Sequence, residues 1–529
     1  MTEQAKPQLT PEERKKRIRY KKRRKVIVPI SRISFLVLIG SAIALVLAIY
    51  NLGFIPEKYI YALSGILVLI VLIMGIISLA HHMSNAAKVL QALLCLGLSA
   101  GMIFGSIKIP EMAGTIKKMF VEIPDEAVLN INVYTLEDSE INSLADLGGR
   151  KLGIQKSLDQ ENQEYGLLQI KRETLSAPVE TVESEDIYGL ADDLLAGKTD
   201  AFLLNESFET FIDDNPDYED FFEKTKVIYT CYKKVEIDYD LTKVGTITEE
   251  PFVVGVLGND EWGKANVAKT SGFRTDVNIV MAVNPKTKQV LLVTLPRDSY
   301  IPAGGYTDQM DKLTHTTVYN RGISEWNDTI KYVLKTDINY TFKVNFSTIT
   351  NIVDALGGVD INNPYEFKAT AKVLNSKGKR VSKTVTFKKG NIHLNGDEAL
   401  AYCRERKSLS GGDLARNEHQ AIIIKALINK VTSPDIVNSA TDVLNALSGQ
   451  FLTNMDVNEM LALAKMQIDD PSVIWDIQTY NITGSSTFKP CFIMGNRELS
   501  VVILNNNKVN QAITYIQQLL ANEVIQVTE

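Results

Sequence analysis

The chain has 529 residues, 45% hydrophobic and 23% charged, which excludes a disordered or low-complexity protein. At roughly 100–200 residues per domain, three or four structural units are expected. The net charge of −6 hides an asymmetry: residues 1–25 hold 11 basic and 3 acidic side chains, a balance of +8, so the remainder carries −14. Basic residues confined to one short terminus, rather than spread over a folded domain, argue against a nucleic-acid binder. Cys95, Cys231, Cys403 and Cys491 lie too far apart for a zinc ribbon, a CxxC redox pair or a disulfide scaffold.

No charged residue falls between Arg32 and Glu57, between Lys58 and His81, or between Lys88 and Lys108. Each gap is about as long as the roughly 20 apolar residues that cross a bilayer as a helix. The third is the least apolar, since it contains Gln91. A signal peptide could account for the first segment but not for two more that follow within a few residues. Three spanning helices are therefore expected over 33–108, behind a basic tail over 1–32. The cluster Arg14–Lys25 keeps that tail cytoplasmic by the positive-inside tendency, although a polybasic contact with lipid headgroups would use the same residues. Three crossings then put everything after Lys108 outside the cell membrane.

An α/β texture begins near Asp125. Leu144–Gln155 predicts a helix end, a turn and a short strand; Asp192–Leu204 predicts a helix, a glycine stop and a buried strand. This stretch, 124–245, resembles one lobe of an extracellular solute-binding protein. It is expected to act as an accessory domain, as a spacer or docking module or as a ligand-binding lobe. From Pro251 the pattern sharpens. Phe252–Leu257 is an apolar strand ending at Gly258-Asn259-Asp260, and Val277–Val283 and Gln289–Leu295 are joined by the tight-turn segment Asn284–Lys288. Helices are predicted at Ser324–Leu334, Ser347–Leu356, Leu414–Val431 and Val457–Met466. The fold class is thus an α/β domain over 250–525, a central sheet with flanking helices, beside a small α/β accessory domain and a three-helix transmembrane region.

Four stretches of the last domain place ionisable groups at element ends. Asp260 and Asp276 close and open neighbouring strands, so they could share a hard divalent cation or serve only as turn residues. Arg297, in Pro296-Arg297-Asp298, leaves the tip of a strand; it is either a site residue or a surface arginine paired with Asp298. In Tyr402–Arg406, read as extended, Arg404 and Arg406 share one face. They either hold an anion between them, phosphate suiting two guanidinium forks, or form a solvated face with Glu405. Asp413 is a candidate N-cap for a helix on which Arg416 and Gln420 are i,i+4 neighbours, and His419 reads as a packing histidine rather than a base. There is no His/Cys zinc cluster, P-loop lysine or nucleophile elbow. Two acids, at least four arginines and an amide suit a diphosphate with a bridging metal.

These motifs, in order Gly258-Asn-Asp260, Arg274-Thr-Asp276, Pro296-Arg-Asp298, Val353–Asp360, Leu394–Tyr402, Arg404/Arg406 and Asp413…Arg416…Gln420, resemble the LytR-CpsA-Psr family. The three helices and the extra domain further resemble its streptococcal capsule-locus members. The resemblance implies a phosphotransferase that moves a capsular or teichoic-acid-like glycopolymer from a polyprenyl diphosphate to peptidoglycan and releases polyprenyl phosphate. It implies Mg²⁺, with Mn²⁺ as the other candidate, held by Asp260 and Asp276. Arg274, Arg297, Arg404, Arg406, Arg416 and Gln420 would grip the diphosphate, with the lipid tail in an apolar cavity; the stripes Val353–Val359 and Ala421–Leu427 either border that cavity or are simply core. Many members carry an arginine where this chain has His419. Partners would be the lipid-linked polymer, peptidoglycan, the bilayer and capsule-synthesis membrane proteins. Two other functions compete: a membrane regulator that attenuates capsule synthesis, and a polyprenyl-diphosphate hydrolase.

Overall fold

The computed structural model describes residues 10–528 apart from 54, 81, 118–120, 123–125, 157, 175, 214, 219, 237–242, 260–269, 319–320, 375–379, 407, 410–411, 434–450, 471 and 496. Two compact units divide the chain: Met1–Lys118 with Met460–Pro471, and Met119–Glu459 with Ser472–Glu529.

The first unit contains α1 (Pro11–Tyr50), α2 (Glu57–Leu79) and α3 (Asn85–Lys117), all three long and apolar enough to cross a membrane. Arg14–Lys25 lies in the first half of α1, which is opened by a Thr10–Glu13 capping box with Pro11 in the first turn. Long basic side chains do not oppose helix formation, so the helix runs from the cap into the apolar segment without a break.

The second unit contains both α/β regions. Its first elements in chain order are β1 (Val121–Glu122), β2 (Glu126–Leu136), β3 (Lys151–Gln155), α4 (Gln160–Glu173), β4 (Glu180–Ser184), α5 (Ile187–Leu195), β5 (Ala201–Asn205) and β6 (Thr225–Glu236). The accessory sheet has the order β4-β3-β5-β2-β6, parallel among β3, β4 and β5 and antiparallel around β2. The predicted strand–helix–strand pieces are present in it.

Next come β7 (Phe252–Gly258), β8 (Val277–Asn284), β9 (Gln289–Thr294), α6 (Ile323–Leu334), β10 (Tyr340–Val344), α7 (Phe346–Ala355), β11 (Val359–Asn363), β12 (Phe367–Leu374), β13 (Arg380–Phe387), β14 (Gly390–Leu394), α8 (Gly396–Arg404) and α9 (Asp413–Val431). The chain closes with β15 (Leu452–Thr453), α10 (Val457–Asp469), β16 (Asp476–Asn481), β17 (Gly484–Cys491), β18 (Arg497–Leu504) and α11 (Asn506–Leu520). The main sheet runs β1-β15-β10-β7-β8-β9-β16. Its outermost strand, β1, precedes the accessory domain in sequence, so the main domain draws on the chain on both sides of that domain.

The β-branched and apolar run of β7 is almost wholly buried, as a central strand covered on both faces must be. The helix α6 packs on it through Trp326, whose indole N–H donates to Asn278 Oδ1 at 2.7 Å. A Cβ on Gly255 would lie 2.6 Å from the Trp326 ring, so glycine alone lets the helix approach this closely. Gly255→Ala is expected to cost about 1–3 kcal/mol by overpacking. A denaturant midpoint equal to that of the unsubstituted protein would refute this contact as a determinant of stability.

Candidate active site

Strands β7, β9 and β10 run in one direction and β8 against them, so the ends of three strands and the start of the fourth share one edge. Crevices at such carboxyl edges are where α/β sheets hold ligands. A cavity of about 420 Å³ opens there, lined by Gly258, Asn259, Arg274, Asp276, Arg297 and Asn345 from the sheet side. Arg404 at the end of α8, Arg406 just after it, and Arg416 and Gln420 of α9 close it, and Val277, Val344, Ile349, Leu400, Ile423 and Ile424 form its apolar part. Every expected site residue among the described positions thus borders one space. Asp260 lies outside the described residues.

Local structure explains each placement. The Asp276 amide donates to Gly258 O at 2.7 Å, which holds the start of β8 beside the end of β7. Phe273 is buried, its ring 3.7 Å from Lys343 Nζ, and so anchors the loop that presents Arg274. Pro296 ends β9 and turns Arg297 toward Asp276, with Nη1 and Oδ1 2.5 Å apart. Asp298 lies 3.8 Å from Arg297 Nε and 3.0 Å from Lys312 Nζ. Burial raises the Asp298 carboxyl, but Lys312 and Arg297 outweigh it and hold the group below its ordinary value. Burial likewise lowers the Arg274 guanidinium, with Asp276 opposing the fall.

The Leu394–Tyr402 motif serves to place α8. Asn395 and Glu398 form its capping box, and the Gly396 amide donates to Asp354 Oδ1 of α7 at 2.7 Å. Two local expectations are overturned. Arg404 is the last residue of α8 rather than part of an extended segment, because Glu398–Arg404 contains no helix breaker and the chain leaves the helix at Glu405. Asp413 is the first helical residue of α9; the cap is Gly412, at φ 54°. Arg404 and Arg406 nevertheless border the same cavity.

His419 is fully buried in an aromatic cluster, stacked on Tyr402 at 4.1 Å and on Phe367 at 4.8 Å between ring centroids. Its Nδ1 is 3.1 Å from Tyr402 O and its Nε2 3.1 Å from Tyr365 Oη. Burial lowers its pKa to about 4, so the ring is neutral near pH 7 and adds no cation to the site. The packing expectation therefore holds. Cys403 lines the cavity, but desolvation pushes its thiol up to about 12, which leaves too little thiolate for a nucleophile. The expected apolar border is only partly correct. Ile423 and Ile424 contribute, whereas Val353 belongs to a packed core with Val359 and Leu394.

Sequence reasoning missed Asn345 and Lys312. Asn345 is readable only as the cap of α7, and nothing local marks Lys312 as the partner of Asp298. It also missed the accessory domain's contact with the site loop. A Cβ on Gly272, two residues before Arg274, would lie 2.8 Å from Ser207 Oγ of that domain. Arg497 Nη2 pairs with Asp186 Oδ2 at 2.9 Å, and its guanidinium lies 4.8 Å from the Tyr188 ring centroid. Ile187, Leu190, Phe208 and Phe211 share one buried cluster with Val318, Ile493, Met494 and Val501. The accessory domain is therefore docked on its neighbour, not a free spacer.

The LytR_cpsA_psr family model matches residues 221–512, more than half of the chain. The chain belongs to the LytR-CpsA-Psr family. It is 33% identical over 244 residues to the polyisoprenyl-teichoic acid–peptidoglycan teichoic acid transferase TagU of Bacillus mycoides (strain KBAB4), covering 46% of this chain and 73% of that one. To TagV of Bacillus subtilis (strain 168), a transferase of the same description, it is 30% identical over 246 residues, covering 46% and 60%. The crystal structure of B. subtilis TagV superposes with a TM-score of 0.41 at 25% identity, covering 52% of this chain and 99% of that one. The family domain carries the cationic cavity described above.

For the expected metal, the donor chemistry fits. Asp276 and Asn259 bring oxygen donors to the cavity among the arginines, and Mg²⁺ is commonly held by one or two carboxylates together with substrate phosphates. No group of three or more His, Cys, Asp or Glu side chains arranged for a metal occurs among the described residues, so a cation here would depend on the ligand's own oxygens.

Proposed function

We propose that this protein is a membrane-anchored transferase that moves a phospho-glycopolymer from a polyprenyl diphosphate to a hydroxyl of peptidoglycan and releases polyprenyl phosphate. The observation that carries this reading is the single cavity in which Arg274, Arg297, Arg404, Arg406 and Arg416 face Asp276 beside an apolar wall. A diphosphate with a lipid on one side has that pattern of charge and grease. The names of the relatives, teichoic acid transferases, support the same substrate class. The basic first half of α1 supports a cytoplasmic N-terminus and catalysis on the outer face.

In the proposed reaction the acceptor hydroxyl oxygen bonds to the glycan-bearing phosphorus. The bond from that phosphorus to the bridging oxygen breaks, polyprenyl phosphate leaves with the electron pair, and the hydroxyl proton passes to solvent at the cavity mouth. Such a displacement needs positioning and charge neutralisation more than a strong base. Arg297, locked by Asp276 and Asp298, is preorganised for an equatorial or bridging oxygen; Arg404 and Arg406 approach from the opposite wall. Gln420 and Arg416, both buried, hold the remaining oxygens. The chemistry supplied by a bound Mg²⁺ or Mn²⁺ is further neutralisation of the diphosphate, with Asp276 and the expected partner Asp260 as its protein ligands.

The test is incubation of the full-length protein in lipid vesicles with radiolabelled lipid-linked glycopolymer, with and without peptidoglycan. Label should move to peptidoglycan with stoichiometric polyprenyl phosphate. Release of free polymer at the same rate in both arms would instead make the protein a hydrolase. In the same assay excess chelator should abolish transfer, and Asp276→Ala should remove both the activity and its response to added Mg²⁺. Full turnover in chelator would remove the metal from the proposal.

A further inference from the structure

A second groove lies beside the first cavity, lined by a different set of side chains. It measures about 570 Å³ and runs along the ribbon of β12 and β13, lined by Lys368, Ala369, Thr370, Thr384, Glu405 and Ser408 together with Arg404 and Arg406. Among the described residues, Arg404 and Arg406 are common to the two linings. The other residues of the first lining are largely aliphatic or belong to the diphosphate-facing set, whereas the groove presents hydroxyls and an amine.

The ribbon's register explains this surface. Thr370 stands directly opposite Thr384, and Lys368 opposite Thr386, on the exposed face. The alternate residues Phe367, Ala369 and Phe387 turn inward and pack on Tyr402 and His419, which fixes the ribbon against the end of α8. Glu405, an acid in the lining, accepts the Ser408 amide at 2.8 Å and so helps shape the turn that carries Arg406.

A polyprenyl diphosphate donor has two arms, lipid on one phosphate and glycan on the other. With its phosphates between Arg404 and Arg406, one arm enters the aliphatic cavity and the other leaves over the ribbon. We propose that this groove is the subsite for the glycan arm of the donor, read by the Thr370 and Thr384 hydroxyls, with Lys368 matched to anionic substituents on the sugars. Hydroxyls donate and accept at once, which suits sugar hydroxyls. The inference rests on the transferase reading and specifies where its substrate's variable part is recognised.

The experiment measures binding of two probes to full-length protein in detergent: bare polyprenyl diphosphate, and the same lipid carrying an anionic oligosaccharide. Lys368→Glu and Thr384→Trp both change exposed strand positions, and their melting curves are compared with that of the unsubstituted protein. Each variant should weaken the glycan-bearing probe by about tenfold, the scale of one lost charged or hydrogen-bonded contact, and bind the bare lipid within about twofold of the unsubstituted protein. Equal weakening of both probes, or of neither, overturns the subsite. So does a rise in KM for the peptidoglycan acceptor alone, which would assign the groove to the acceptor. If the unsubstituted protein binds neither probe, the donor reading itself falls and the subsite with it.

Discussion

Replacement of Arg297, Arg404 or Arg406 by alanine should reduce polymer transfer roughly 10- to 150-fold per substitution, the effect of losing about 1.5–3 kcal/mol of charge-assisted contact. The three differ in a way that can be measured. Arg404 and Arg406 are exposed at the end of α8, so their removal should leave the melting temperature unchanged. Arg297 also neutralises Asp276 and Asp298, so Arg297→Ala leaves two partly buried carboxylates less compensated and should lower stability as well. Lysine at 404 or 406 keeps charge but loses the planar fork, and should recover part of the rate at most. Normal polymer attachment in cells carrying only the Arg406→Ala form would remove these arginines from the reaction.

The second large effect concerns pH. In the fold His419 has a pKa of about 4, against 6.5 for a free imidazole. Between those values the unfolded chain binds a proton that the folded chain does not, so stability rises with pH across the window. The contribution is complete above about pH 6.5 and is lost as pH falls toward 4, roughly 3 kcal/mol in all. His419→Phe keeps the stack on Tyr402 and Phe367 but cannot titrate. Its denaturation midpoint should be lower at pH 7, through the lost contacts to Tyr365 and Tyr402, and should decline less steeply on acidification. Parallel pH profiles for the two proteins would show that His419 is not the titrating group.

Much of the main domain was legible because its strands are short apolar runs with punctuated ends. The turn Asn284–Lys288 joins β8 and β9 in antiparallel register as expected, and α7 ends at Ala355, one residue short of the predicted Leu356. Chemistry placed at those ends, Asp276 and Arg297, inherits that legibility. The end of α8 did not, since Tyr402-Cys-Arg-Glu-Arg406 is compatible with helix or strand and its packing on β12 decides. Least legible were contacts between distant segments. Arg497 and Asp186 are 311 residues apart, and neither carries a local mark of the pairing. The groove over β12 and β13 escaped notice for a related reason: an alternation of Lys and Thr along a ribbon looks like any solvated strand until Arg404 and Arg406 are seen at its side.

The buried cluster common to the accessory and main domains bears on how such proteins can change over generations. A module held by a linker can be gained or lost in one genetic event. Here, loss of residues 124–245 would uncover Val318, Ile493, Met494 and Val501 at once and strip the loop before Arg274 of its support. An exposed patch of that kind invites aggregation. A lineage that discards the domain must therefore also make these four positions polar and replace Gly272 or rebuild its loop. Co-occurrence of apolar residues at 318, 493, 494 and 501 with the extra domain would be the trace of that constraint across relatives.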